Sequence, residues 1–299
     1  MYRGISDFLK MNDVEFKENF SLSKISPIRI GSEAEFVVYP KNEEQLIGVV
    51  NFAKSEKKQY KIVGRMSNIL PLDDEFEGVI IKTDRLSNLS VNQSKIQANA
   101  GTSIFMIAQY AAKAGLSGME QISGIPGSIG GAIYGNAGAF DREIAELISS
   151  VTVYNLKTSG IEQMTAKELG FGYRTSVFMD KSLVILSATL SLCPDDSTDI
   201  NRLTAFYRDK RLSTQPIGEP SLGSVFKRPS KDVYAGKLID ECGLKGRRVV
   251  GAQISNKHAG FIVNIGGATA SDYLELVNVA RDAVYNKFGI LLEREIEVI

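Results

Sequence analysis

The chain has 299 residues, 43% of them hydrophobic and 23% charged; this excludes disordered, collagen-like and fibrous classes and predicts about two domains at ~150 residues each. Its 35 basic side chains cancel 35 acidic ones, so no net field exists to hold a polyanion and no nucleic-acid partner is expected. A single histidine, His258, and two cysteines, Cys193 and Cys242, exclude a site with several imidazole ligands and a disulfide framework, so no metal is expected and a reducing compartment is.

The N-terminal residues lack the apolar run and small residues of a secretion signal, and no stretch sustains the ~18 apolar residues that span a bilayer. A cytoplasmic protein with no membrane partner is the expectation. Residues 36–39 are a short apolar run ended by Pro40, and Asn42 with Gln45 three residues on predicts a capping box. The helix that follows places Leu46, Val49, Val50 and Ala53 on one face and collects Lys54, Lys57 and Lys58 near its end, where cations oppose the helix dipole. Residues 61–64 return as a strand, completing a βαβ unit that runs into Gly-Arg-Met-Ser-Asn at 64–68, and a further strand is predicted at 78–82.

A strand at 95–100 precedes a helix expected to be capped by Thr102 and stopped by Gly115. Strands at 151–154 and 183–192, rich in Val, Ile and Leu, make the middle third β-rich. A polar helix near 199–211 opens the last third, and a boundary is expected near residue 205. A loop then carries Gly223-Ser-Val-Phe-Lys-Arg-Pro229, followed by a short helix, 235–242, stopped by Gly243. The last helix starts at Thr269 with Asp272 at its third position, buries Tyr273, Leu276, Val277, Ala280 and Val284, and stops at Gly289; residues 290–299 read as a strand.

Between 123 and 140 stand six glycines: Gly124, Gly127, Gly130, Gly131, Gly135 and Gly138. Such density lets main chain approach a pyrophosphate or a flat ring, and it matches neither a Walker loop nor a Rossmann fingerprint. A tight structural turn is the alternative. Gly64–Asn68 is a weaker signal of the same kind, a turn whose N–H groups could meet a phosphate. Ser224 sits beside two cations without the Gly-x-Ser-x-Gly elbow, which suits a proton donor better than a nucleophile. Residue types alone make Arg174 a surface or structural arginine, His258 a hydrogen-bonded structural histidine, and Glu293, Glu295 and Glu297 a solvated strand face.

Taken together these segments closely resemble the UDP-N-acetylenolpyruvoylglucosamine reductase family, from about residue 30 to the C-terminus. The best stretches are 123–140, 172–176, 223–229, 235–246, 255–264 and 292–296. The short connection from Leu192 to the helix near Asp199 is similar to the compact subclass, which lacks an additional substrate-binding loop. The resemblance implies an α+β fold, with a two-part FAD-binding region of the vanillyl-alcohol-oxidase type and a C-terminal substrate domain. The expected parts are 1–77 and 78–205 for FAD, the last strand 290–299 returning to the latter, and 206–289 for substrate.

It further implies non-covalent FAD, NADPH as co-substrate, a UDP-sugar substrate of peptidoglycan precursor synthesis and a monomeric bacterial enzyme. Arg174 matches the family's catalytic arginine, Ser224 its proton donor and Glu295 its catalytic glutamate. Gly64, Arg65, Met66, Ser67 and Asn68 match one FAD-contacting segment. Gly124, Pro126, Gly127, Ser128, Gly130, Gly131, Asn136, Ala137 and Gly138 match the other. Gln215, Arg228 and His258 stand where the family contacts its UDP-sugar. The chain departs from the family pattern at Met66 and Ser32, where glycine is usual, and at Phe140, where tyrosine is usual. Met66 is expected to carry strain of order 1 kcal/mol if its position requires positive φ.

Overall fold

The computed structural model describes residues 4–299. The chain divides into two compact units. The first comprises the N-terminal residues through Lys17, then Phe36–Arg65 and Gly78–Lys210; the second comprises Glu18–Glu35, Met66–Glu77 and Arg211–Ile299.

In the first unit the predicted βαβ element is present. Strand Glu33–Tyr39 leads into helix Glu43–Ser55, which buries Leu46, Val49, Val50 and Ala53 as its apolar spacing requires. Asn42 caps it by accepting from the Gln45 N–H at 2.8 Å, while the Gln45 side chain reaches back to the N–H of Lys41 rather than to that of the cap. Strand Gln59–Val63 then pairs in parallel with Phe76–Lys82, Val63 opposite Lys82, in a four-stranded sheet completed by Glu33–Tyr39 and Glu15–Ser21. The β-rich middle is a five-stranded antiparallel sheet, ordered Gly160–Thr165, Ile148–Asn155, Leu183–Ser191, Lys95–Asn99, Leu89–Asn92. One core lies around Phe8, Val38, Val49 and Ile81, and another around Ile96, Ile107, Ile133, Val151 and Leu190. Helix Ile104–Lys113 is capped by Ser103, not by Thr102, whose hydroxyl donates to the Asn88 carbonyl instead.

The second unit is built on an antiparallel sheet, Ser221–Ser224, Phe261–Asn264, Ala252–Ile254 and Arg248–Val249. Ser221–Ser224, expected within a loop, is thus a strand, because its backbone finds a partner in Phe261–Asn264. Helix Ala270–Phe288 buries all five predicted residues, carries the predicted Thr269–Asp272 capping box and ends at Gly289 in the left-handed region. The segment 290–299 is not a continuous strand. Only Glu297–Val298 qualifies, paired in parallel with Ile69–Leu70, and it lies in the second unit instead of returning to residues 78–205. Residues 18–35 and 66–77 belong there too, because Ile28, Ile30 and Leu70 pack into the core formed by Leu222, Ile239, Tyr273 and Leu276.

Cys193 is exposed in the first unit, Cys242 half-buried in the second, and neither forms a disulfide. Among the described residues no helix is long and apolar enough to cross a membrane.

Candidate active site

The first unit joins two glycine-containing segments that lie far apart in sequence. Gly64 follows the strand Gln59–Val63, and a Cβ placed there would stand 2.1 Å from Ser128 Oγ, so glycine is what lets the two loops touch. Ser128 is buried, caps the short helix Ile129–Tyr134 by accepting from the Gly131 N–H, and is held by main-chain bonds from Ile129 to Thr102 and from Gly130 to Ala100. Part of the glycine density therefore serves packing: Gly130 lies against Ala100 and Gly138 against Arg142. Gly124, Pro126 and Gly131 are exposed, with Gly127 and Ala137 half-buried, which leaves main chain open to a ligand.

Arg174 is brought to the same place. It occupies the two-residue turn between Gly172 and Thr175 with φ +54°, and its guanidinium donates to the carbonyls of Asn136 and Gly138, 3.3 Å each. Asn136, 1% exposed, is fully engaged: its amide donates to Glu143 and to the Gly172 carbonyl and accepts from the Ala145 N–H. Its side chain thus fastens the arginine turn to the glycine-rich segment. Phe140 and Asp141, both at positive φ, form the tip of the hairpin Gly138–Ala139 to Arg142–Glu143, and the Phe140 ring lies 5.1 Å from that of Tyr207.

The second unit collects Asn68, Ser224 and Glu295. The Glu295 N–H donates to the Val225 carbonyl at 2.8 Å, next to Ser224, and the Asn68 amide donates to the Glu295 carbonyl at 3.1 Å. Ser224 is exposed at the end of its strand and Glu295 is half-buried. Lys227, one of the two cations expected to assist Ser224, is paired with Glu293 at 2.5 Å, so its charge is largely matched. The other, Arg228, stacks on the Tyr234 ring at 4.5 Å. Gln215 accepts from Arg211 Nε at 2.8 Å. His258 Nδ1 accepts from the Gly260 N–H at 3.1 Å, which puts the imidazole proton on Nε2 as a donor. Burial lowers the His258 pKa below 6.5, outweighing other influences, so the ring is neutral at pH 7.

The departures at 66 and 32 are accommodated differently. Met66 adopts φ +55°, the conformation a glycine would take, and its side chain is 2% exposed, packed inward. Ser32 needs no such freedom: the demand falls on Gly31, at φ +125° and with Pro71 Cβ 2.6 Å from where its own Cβ would be. The residues present fit a dinucleotide. Open glycine main chain and the exposed Arg65 suit a pyrophosphate, and Arg174 is fixed beside the glycine-rich segment.

Sequence reasoning missed Lys82 and Arg211. Lys82 is buried at the end of an apolar strand and donates to the Gly64 carbonyl at 3.2 Å; its signal in the sequence is a lone charge closing a run of Val and Ile. Arg211 resembles one more surface cation on a polar helix, yet burial lowers its pKa and its Nη1 has no hydrogen-bond partner among the described residues.

Residues 34–160 match the family described as FAD binding domain, and residues 215–299 match the one described as UDP-N-acetylenolpyruvoylglucosamine reductase, C-terminal domain. A Caldicellulosiruptor bescii protein named UDP-N-acetylenolpyruvoylglucosamine reductase is 40% identical over 98% of this chain and 93% of its own. A Streptococcus pneumoniae protein of the same name is 39% identical over 98% and 96%. Among solved structures, the UDP-N-acetylenolpyruvylglucosamine reductase of Thermus caldophilus is 32% identical with a TM-score of 0.80, covering 95% of this chain and 98% of that one.

Proposed function

The chain belongs to the UDP-N-acetylenolpyruvoylglucosamine reductase family, and from that premise we propose that it reduces the enolpyruvyl ether of UDP-N-acetylglucosamine to UDP-N-acetylmuramate with NADPH. Similarity to a reductase over 98% of the chain, through both the FAD-binding and the C-terminal parts, carries this reading. Bound without a covalent link, FAD supplies two-electron transfer from NADPH to C3 of the enolpyruvyl group.

The protein's part is to hold charge and move a proton. Arg174, fixed by the Asn136 and Gly138 carbonyls, stabilises the negative charge that builds on the substrate carboxylate. Ser224 then gives its hydroxyl proton to C2, with Arg228 softening the cost of the alkoxide left behind. Glu295 serves as an acid or orients a donor, because a bare carboxylate would repel the enolate. Gly64, Arg65, Met66, Ser67 and Asn68 would hold FAD, as would the main chain between Gly124 and Gly138. Gln215, Arg228 and the neutral His258 hold the UDP-sugar, His258 through Nε2–H as a hydrogen-bond donor and not as a cation. Cysteines outside any disulfide support the cytoplasm as its compartment, and balanced charge, which offers no field to hold a polyanion, supports small-molecule partners for what we take to be a monomer.

The purified protein is expected to be yellow and to oxidise NADPH only when the enolpyruvyl UDP-sugar is present. Colourless protein that stays inactive with added FAD would refute the proposal. In the Ser224→Ala variant, stopped-flow absorbance should show flavin reduction by NADPH nearly intact and reoxidation by substrate slowed about a hundredfold, the ~3 kcal/mol of a group used in the transition state. An equal fall in both half-reactions would remove Ser224 from the donor role.

A further inference from the structure

We infer that Lys82 is a positioning residue for the cofactor's pyrophosphate, acting through the main chain of the turn that follows strand Gln59–Val63. The inference rests on the FAD reading above. Lys82 ends the parallel neighbour of that strand, and its side chain is 4% exposed, a rare state for a lysine. Its ammonium does two things there. It donates to the Gly64 carbonyl at 3.2 Å, and it pairs with Asp84 at 3.0 Å, whose side chain is 39% exposed.

The first bond fixes the plane of the Gly64–Arg65 peptide. In a trans peptide the N–H points opposite to the C=O, so a carbonyl drawn inward to the buried ammonium turns the Arg65 N–H outward. Arg65 is itself exposed, in keeping with that direction. Thr83 adds a second tie one peptide earlier, its hydroxyl donating to the Val63 carbonyl at 3.4 Å. Ser128 packs into the space left at Gly64, so the turn is held from two sides. A fixed N–H next to a buried cation is what a diphosphate needs: a donor already oriented, and positive charge whose field water screens weakly. Asp84 matches the charge, so the turn meets an ion pair whose cation is the partner bonded to the Gly64 carbonyl.

The role separates from a merely structural one through the ligand. FAD carries the diphosphate and riboflavin does not, although both carry the isoalloxazine ring. Titration of flavin-free protein, followed by flavin fluorescence, is expected to show Lys82→Met weakening FAD binding at least tenfold while riboflavin binding changes less than twofold. Lys82→Arg should keep the wild-type FAD-to-riboflavin ratio within threefold. Lys82→Gln, a donor without charge, should fall between the two and lose part of the salt dependence of FAD binding. Equal loss of FAD and riboflavin affinity, or FAD affinity unchanged in Lys82→Met, would overturn the inference. Should Lys82→Met fail to fold, the FAD-to-riboflavin ratio of Lys82→Gln set against that of Lys82→Arg decides the matter in its place: a lower ratio in Lys82→Gln supports the inference and equal ratios overturn it. Wild-type protein that binds no FAD would instead overturn the flavoenzyme reading, and this inference with it.

Discussion

Met66 sets two costs against each other. A left-handed backbone costs a non-glycine residue about 1 kcal/mol, whereas removing a buried methionine side chain costs about 2–5 kcal/mol. Packing wins, so Met66→Gly is expected to lower stability by about 2 kcal/mol in urea denaturation, with FAD affinity nearly unchanged because the backbone path is kept. A more stable glycine variant would show that strain dominates. The same scale marks where sequence is legible. Asn42 and Thr269 announce their helices because a cap is a local matter between a side chain and an N–H three residues away. Ser103 and Thr102 are chemically alike neighbours, and the carbonyl of Asn88 decides which of them caps. Nor does any local pattern say that Lys82 reaches Gly64 or that Arg174 reaches the carbonyls of Asn136 and Gly138, since partners of this kind are fixed by tertiary structure.

At the level of elements, the amphipathic helices 43–55 and 270–288 and the long apolar strands of the middle third are readable because each buries a face with the period its backbone imposes. The strands of the C-terminal sheet, two to four residues each, carry too few residues to show alternation and exist only by pairing. The final segment misleads for the converse reason: alternating glutamates look like a strand, but between 290 and 296 strand-like pairing is limited, among the described residues, to the isolated bridge of Arg294 to Phe226. Helix Ala270–Phe288 also has a second, distant cap. Asp73 accepts from the N–H groups of Ala270 and Ser271 and from the Ser271 hydroxyl. Burial alone would raise its pKa, yet these three donors outweigh burial and hold it below 3.8. A carboxylate depressed on folding adds stability at pH values above its unfolded pKa and loses it as pH falls through the folded one. Asp73→Ala is therefore expected to cost about 1 kcal/mol at pH 7 in thermal or urea unfolding, with the gap from wild type closing below about pH 4. A gap that persists unchanged in acid would mean that the ionised carboxylate is not what caps the helix.

For the molecule as a whole, chain order and compact units do not coincide. The C-terminal family match begins at residue 215, but the core it belongs to contains Ile28, Ile30 and Leu70, each at most 2% exposed. Residues 211–299 made as a fragment are expected to lack a fixed core, with poor amide dispersion in NMR and no cooperative thermal transition. A well-dispersed spectrum from that fragment would show that the N-terminal contributions are dispensable. This interleaving is invisible along the sequence, where domains divide at a shift in composition near residue 205 and nothing tells which distant apolar runs share an interior. The two thiols offer a way to watch the units themselves. Cys193 stands exposed in one and Cys242 half-covered in the other, so a dye attached first to the accessible sulfur and a second to its slower counterpart would turn the native protein into a spectroscopic ruler without any engineered residue.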